Sequence, residues 1–343
     1  MKRFWAFIKH NRKDYTGVPP LNAHGKHAES PKEKANILNE QFESVFTESK
    51  PDETQAHHTT SEFPRMENIN ITEKGVLQLL ESLKVHKASG PDKISARVLK
   101  QLAPVISSIL TTIYKRSYET GEIPQDWRSA DVTPVYKKGK KSDPANYRPI
   151  SLTSIPCKLL EHIITSAVMK HGKRNDILYD LQHGFRDKRS CESQLLGFID
   201  DVVNATHNGQ QSDVVVMDFS KAFDKVSHHL LVDKLSRYGI QGHTNRWIKN
   251  WLSDRTQTVV LEGERSYTAR VRSGVPQGSV LGPCLFLYYI NDIPENVQSK
   301  VRLFADDTIM YLAFKDNRQS SQQPDMSLTA TLTHPVLPTC SGT

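Results

Sequence analysis

Cysteine is scarce in this chain. Four occur in 343 residues, at positions 157, 191, 284 and 340, with no CxxC pair and no Cys/His ligand spacing. That pattern argues against a disulfide framework and a structural zinc site, and for a reducing compartment. Long apolar runs are also absent: none approaches the ~20 residues needed to cross a bilayer. The first residues, MKRFWAFIKHNRK, have a basic head but only a short apolar stretch, Phe4–Ile8, too brief for the core of a secretion signal. The expectation is a protein neither secreted nor membrane-bound, working in the nucleus and/or cytoplasm. There is no internal repeat. The fourteen histidines are dispersed, and the pairs His57-His58 and His228-His229 read as solvated or packing residues.

What is present is positive charge. The net charge is +7 and hydrophobic residues make up 37%, a balance that favours polyanionic partners. The densest basic run is Lys137-Lys138-Gly139-Lys140-Lys141.

Along the chain, residues 1–30 carry Gly and Pro with little apolar pattern and read as a linker. Ala35, Leu38, Phe42, Val45 and Phe46 recur at three- and four-residue spacing and predict a helix over Pro31–Thr47. Glu48–Thr60 is polar and loose. Thr72 reads as the cap of a helix over Glu73–Lys84. Two more helices, Ile94–Leu102 and Pro104–Glu119, follow the breaker-rich Lys87–Asp92, and Gly121 stops the second. A strand at Asp131–Tyr136, a helix at Pro156–Lys170, a loop at Gln182–Arg186 and a helix at Ser193–Val203 come next. Val226–Tyr238 and Thr244–Trp251 read as helices, and Val259–Leu261 with Ala269–Val271 as a hairpin around Gly263. A Gly/Pro loop, Ser273–Ser279, opens a helix over Val280–Ile290. From Asn317 the composition turns to Ser, Gln, Thr and Pro, the mark of a disordered tail.

Two stretches carry chemistry. In VRLFADDTIMYLA, Val301–Ala313, two short β-rich runs flank Asp306 and Asp307, predicting a hairpin with carboxylates at its tip. In VVVMDFSKAFD, Val214–Asp224, an apolar strand ends on Asp218 before a helix. If the strands are neighbours, three like charges meet at one sheet edge, and a cation is the natural compensation. Hard divalent cations take oxygen ligands, and Mg²⁺ takes one or two carboxylates plus phosphates. Helix-capping and turn acids are the plainer alternative on spacing alone. The Gly274–Gly278 loop could cradle a phosphate or base through its backbone. Lys137, Lys138 and Arg148 could pair with a triphosphate; for the lysines a solvated surface run is the alternative, whereas Arg148, beside Pro149 in an apolar stretch, calls for a specific anionic partner.

These residues resemble a known family. Phe304-Ala305-Asp306-Asp307 resembles motif C of reverse transcriptases, Asp218–Asp224 motif A, and Gly274–Ser279 motif B. Gly90-Pro91-Asp92, Asn146–Leu152 and Gln182–Arg186 are similar to upstream finger motifs of non-LTR (LINE-type, jockey/CR1-like) retrotransposon polymerases. The likeness runs in order from about Lys87 to Phe314.

The resemblance implies an α+β right-hand polymerase, an antiparallel palm sheet packed by helices, divided as an N-terminal linker with a helix (1–69), fingers (70–210), palm (211–315) and tail (316–343). It implies two Mg²⁺ ions, with Mn²⁺ as a substitute, on Asp218, Asp306 and the backbone of Phe219; Asp307 is required but touches metal less directly. Arg148 would hold the incoming triphosphate, with Lys137 or Lys138 helping. Gln277 and Gly278 would line the nucleotide pocket, and Gly184, Arg186, Pro276 and Gly278 would meet template and primer. Phe223 falls where the family places a bulky side chain against the sugar, which excludes a 2′-hydroxyl and selects dNTPs; an RNA polymerase would carry an acid at that step. The partners implied are an RNA template and a DNA primer. Nothing after Phe314 resembles a thumb, so the chain reads as stopping short of one. Two functions from different classes follow: an RNA-directed DNA polymerase, or a catalytically inactive nucleic-acid-binding remnant of such an element. Oligomeric state is not legible. With a thumb missing, apolar faces on Val280–Ile290 and Val301–Leu312 are expected to be exposed.

Overall fold

The computed structural model describes residues 17–47 apart from His24 and residues 61–315 apart from Asn296. The expectations for the apolar stretch near the start, the loose Glu48–Thr60 segment and the 316–343 tail lie outside the described residues.

Residues 1–30 were expected to be a linker; in the described part, 17–30, the structure differs. β1 (Leu21–Ala23) and β2 (Lys26–Ala28) form an antiparallel hairpin. Its strands are too short to show alternation, and they are held by burial of Leu21 and Ala28 in a core shared with α1. That helix, α1 (Pro31–Glu43), starts at Ser30, whose side chain and that of Glu33 cap each other's backbone amides. Its apolar face, Ala35, Leu38 and Phe42, packs on Val132, Tyr147 and Val259.

Those three residues belong to the larger sheet. β3 (Ser129–Tyr136) pairs antiparallel with β4 (Tyr147–Leu152) and parallel with β6 (Thr256–Leu261). β6 turns at Gly263 to meet β7 (Glu264–Arg265) and also pairs with β8 (Ala269–Arg270). Inside this sheet Asp131 is buried. It accepts from Lys93 Nζ at 2.9 Å and from Arg265 Nη2 at 2.6 Å. Burial alone would push its carboxyl up; the bonds from Arg265 and Lys93 reverse this and hold it below the usual carboxylate range.

Helices α2 (Glu73–Glu81), α3 (Ala96–Gln101), α4 (Ala103–Thr120), α5 (Gln125–Arg128) and α6 (Ile155–Arg174) precede the second sheet. α4 ends at Gly121 in the left-handed conformation expected of it. Helix α7 (Cys191–His207) delivers the chain to β5 (Gln211–Asp218). After β5 the predicted helix is delayed: residues 220–225 form turns, Lys221 has φ of +55°, and α8 begins only at His228 and runs to Arg237. α9 (Gly242–Leu252), α10 (Leu281–Tyr289), β9 (Lys300–Phe304) and β10 (Asp307–Phe314) complete the described chain. The second sheet is antiparallel, in the order β5-β10-β9.

The main core runs from Met66 to Met310 and joins helices α2, α6, α8, α9 and α10 to one face of this sheet. α10 reads LGPCLFLYY and has no polar face, so it is buried all round rather than exposed as expected. Val301, Leu303, Met310 and Tyr311 are buried as well. The exposed apolar side chains lie elsewhere, on β5 (Val214, Val216), on α7 (Leu196, Ile199, Val203) and on α4 (Val105, Ile109). No helix among the described residues is long and apolar enough to cross a membrane.

Candidate active site

The hairpin forms where its sequence places it. β9 and β10 pair with Phe304 opposite Asp307, and the two-residue tip is Ala305-Asp306. Ala305 has φ of +55°, an uncommon conformation for a residue with a side chain. It is held by Gln182. The Gln182 Oε1 accepts from the Ala305 amide at 3.0 Å and from the Gly184 amide at 2.8 Å, and Gln182 is buried. The loop fits closely: a Cβ on Gly184 would stand 2.2 Å from the Ala305 nitrogen. His183 N donates to Leu303 O at 2.8 Å. Gln182 was quoted in the sequence only as part of a motif; a glutamine between two backbone segments carries no local signal of that task.

β5 lies along the other side of β10, and the register puts Asp218 directly opposite Asp307. Asp306, at the tip, feels both. Burial, then the charges of Asp307 and Asp218, push its carboxyl above the ordinary range, while its own backbone amide and Lys137 pull the other way. Lys137 thus brings the turn after β3 within electrostatic reach of the acids. Lys137 and Lys138 are exposed, and so is Arg148 on β4, opposite Val135. The site therefore collects Asp218, Asp306, Asp307 and Lys137. As they stand, no three His, Cys, Asp or Glu side chains among the described residues form a metal-holding group. The donor set is nonetheless the one a hard cation takes, carboxylate oxygens whose mutual repulsion is only partly relieved.

Phe219 is buried behind Asp218. Phe223 stacks on Phe286 of α10 with ring centroids 4.1 Å apart and meets the exposed Phe185 ring edge-on at 6.1 Å. Arg186, four residues beyond Gln182, is half-buried, and its Nη1 donates to the carbonyls of Leu178 (3.3 Å) and Tyr179 (2.7 Å).

The motif-B loop sits beside Phe223. Val275 N donates to Phe223 O at 2.8 Å, and Gln277 Nε2 donates to Asp224 Oδ1 at 2.9 Å. Gln277 O accepts from Ser151 N of β4 at 2.7 Å, which ties this loop to the larger sheet. Pro276 is half-buried, and Gly278 is exposed. The start of α10 is fixed by Glu161 of α6, fully buried, whose Oε2 accepts from the amides of Val280 (2.7 Å) and Leu281 (3.2 Å). A carboxylate at a helix N-terminus satisfies two orphan donors and the helix dipole together.

A strand ending in one acid, a hairpin presenting two, an antiparallel register that joins them and a backbone-rich loop alongside define the class. Residues 136–328, more than half of the chain, match the profile of the reverse transcriptase (RNA-dependent DNA polymerase) family, and the chain belongs to that family. It is similar to the probable RNA-directed DNA polymerase from transposon BS of Drosophila melanogaster, with 29% identity over 82% of this chain and 32% of that protein. It is also similar to the RNA-directed DNA polymerase from mobile element jockey of the same organism, with 28% identity over 69% of this chain and 27% of that protein. The Pol polyprotein from retrotransposable element R2 of Popillia japonica is 29% identical over 62% of this chain and 30% of its own length. The chain thus spans about a third or less of the curated relatives it matches.

Proposed function

We propose that this chain is the polymerising part of a non-LTR retrotransposon protein, extending a DNA 3′ end on an RNA template with dNTPs. The observation that carries this reading is the register of Asp218 against Asp307, with Asp306 beside them at the hairpin tip and in the field of Lys137. In it residues 70–210 act as fingers and 211–315 as palm.

Asp218 and Asp306, with the Phe219 carbonyl, would hold two Mg²⁺ ions, and Asp307 would support them. When bound, the ions favour the ionised primer 3′-hydroxyl and stabilise charge on the departing pyrophosphate. The chain's own residues do the positioning, which is most of phosphoryl-transfer catalysis. Arg148, Lys137 and Lys138 form the cationic side of the pocket and orient the triphosphate. Gln277 and Gly278 line the base and sugar. Gly184, Arg186 and Pro276 lie toward template and primer. The Phe223 ring, backed by Phe286, is the group that would exclude a 2′-hydroxyl.

The test is primer extension on an RNA template with an annealed DNA primer, Mg²⁺ and labelled dNTPs, beside the Asp306→Ala, Asp307→Ala double variant. Extension lost in the variant supports the reading. No extension by either chain, with salt-sensitive duplex binding retained, supports a binding remnant instead. In an extending chain, Phe223→Ala should raise incorporation of rNTPs relative to dNTPs; an unchanged ratio removes Phe223 from sugar selection.

A further inference from the structure

The turn after β5 and the loop before α10 are laced together at one buried carboxylate. Asp224 is 9% exposed and accepts from Gln277 Nε2 at 2.9 Å. Its backbone carbonyl accepts from Ser273 Oγ at 2.8 Å. On either side, Val275 N donates to Phe223 O and Gly274 N to Val226 O, both at 2.8 Å, and His228 Nε2 bonds Gly274 O at 2.7 Å. The segments touch backbone to backbone. Gly274 has φ of +86°, and a Cβ there would lie 2.7 Å from Asp224 O. The lacing reaches further out: the amide of Thr47, just past α1, donates to the same Ser273 Oγ at 2.9 Å. Thr47 lies outside the span that matches the family profile.

Asp224 thus touches two things at once. Its side chain fixes the one rotamer-rich group of the motif-B loop, Gln277. Its backbone neighbour is Phe223, whose ring already packs on Phe286 of the helix that this loop opens. Burial raises the carboxyl of Asp224, with the Gln277 bond and the charge of Lys221 opposing. No ion pair to this carboxylate is seen among the described residues, so it relies on its hydrogen bonds, and losing one exposes the full cost of an unsatisfied buried group.

We propose that Asp224 is a positioning residue for nucleotide binding: by holding Gln277 and the segment that carries Phe223 in one fixed relation, it sets both the affinity for a dNTP and the rejection of a ribonucleotide. This rests on the reading of Gln277 and Phe223 as the nucleotide pocket.

The test reads binding without turnover. The full chain is mixed with an RNA template annealed to a dideoxy-terminated DNA primer, with Ca²⁺ as the cation. dTTP or UTP is titrated, read by fluorescence of 2-aminopurine at the pairing template position. Asp224→Ala should weaken dTTP binding about tenfold, equivalent to about 1.4 kcal/mol, and bring the dTTP and UTP affinities closer together. Asp224→Asn keeps an acceptor oxygen facing Gln277 and should restore most of both. A purely structural role would instead lower the melting temperature in both variants and leave the dTTP/UTP ratio alone. If Asp224→Ala is too unstable to purify, Gln277→Met removes the same bond from the other side and should narrow the ratio alike. Wild-type binding of dTTP with the ratio unchanged in the variants overturns the positioning role alone. No dTTP binding by the wild type overturns the nucleotide pocket, and the positioning role with it.

Discussion

The two sheets of this chain treat their carboxylates in opposite ways. In the sheet of β3, β4 and β6, Asp131 is enclosed and bonded to Arg265 and Lys93, and its carboxyl is held below the ordinary range. In the sheet of β5, β10 and β9, Asp306 stands with Asp307 and Asp218 and is pushed above it. The second sheet is not short of cations. Arg302 and Lys300 of β9 bond Asp201 of α7 at 2.5 and 2.7 Å, with Tyr311 as a third donor, and the Asp201 carboxyl is held down at about 2. Cations pair directly with Asp201 away from the hairpin tip, whereas at the tip Lys137 acts through its field and does not offset burial and the neighbouring acids. A site left with a surplus of negative charge is a functional candidate for a physical reason: a ligand that brings positive charge is favoured there.

The contrast can be broken at its sharpest point with Asp218→Asn. Extension should fall on the order of 10²–10³-fold, the scale of losing one electrostatic stabiliser, while urea unfolding stays within error of the wild type. A comparable loss of stability would make Asp218 a structural acid like Asp131. The converse experiment creates an unpaired acid in the other sheet. Lys93→Met with Arg265→Met strands the Asp131 carboxylate, and urea unfolding at neutral pH should register a cost of about 3 kcal/mol. Because the stranded group then binds a proton more readily, the deficit should shrink on acidification. The third cut lies within the second sheet. Asp201 has a depressed carboxyl, so its contribution is complete above the unfolded value of 3.8 and disappears as pH falls toward about 2. Asp201 is part exposed, so the amount is about 1 kcal/mol, measurable as the difference between wild type and Asp201→Asn in melts at pH 6 and pH 3. The smallest effect has the opposite sign. Asp306 carries a raised carboxyl, so its penalty exists at high pH and vanishes as the group is protonated. Asp306→Asn should therefore raise stability at pH 8 by about 0.5 kcal/mol, the scale of a like-charge pair across strands, even as extension is lost.

The sequence exposed the hairpin and the β5 strand because short Val- and Ile-rich runs ending on acids have few other readings. It could not supply their register, since Asp218 and Asp307 are joined only through tertiary pairing. The reverse transcriptase motifs located the loop before α10, but Glu161 drew no separate notice, and Asp224 stood out only as an acid one residue past Phe223. A single acid in an apolar stretch looks like a turn or a surface position until its partners are seen. The β1–β2 hairpin read as a linker because three-residue strands show no period; its order comes from α1. The Val280–Ile290 helix was expected to expose a face, yet a segment with no polar stripe has no face to expose.

One feature of the larger sheet bears on how the chain reaches this state. α1 packs on β6, the β1–β2 hairpin packs on α1, and β3 pairs in parallel with β6. An early segment thus depends on a strand made more than 200 residues later. Contacts of such high contact order pay loop closure before they are rewarded. On a ribosome adding ~5–20 residues per second, Ala35 would wait roughly 10–45 s for Val259. Until then the side of the core around Leu38, Phe42 and Val132 that meets Val259 is uncovered. The interval before residue 261 is made is the time at which this protein is most open to misassembly, and to any chaperone that binds short apolar helices.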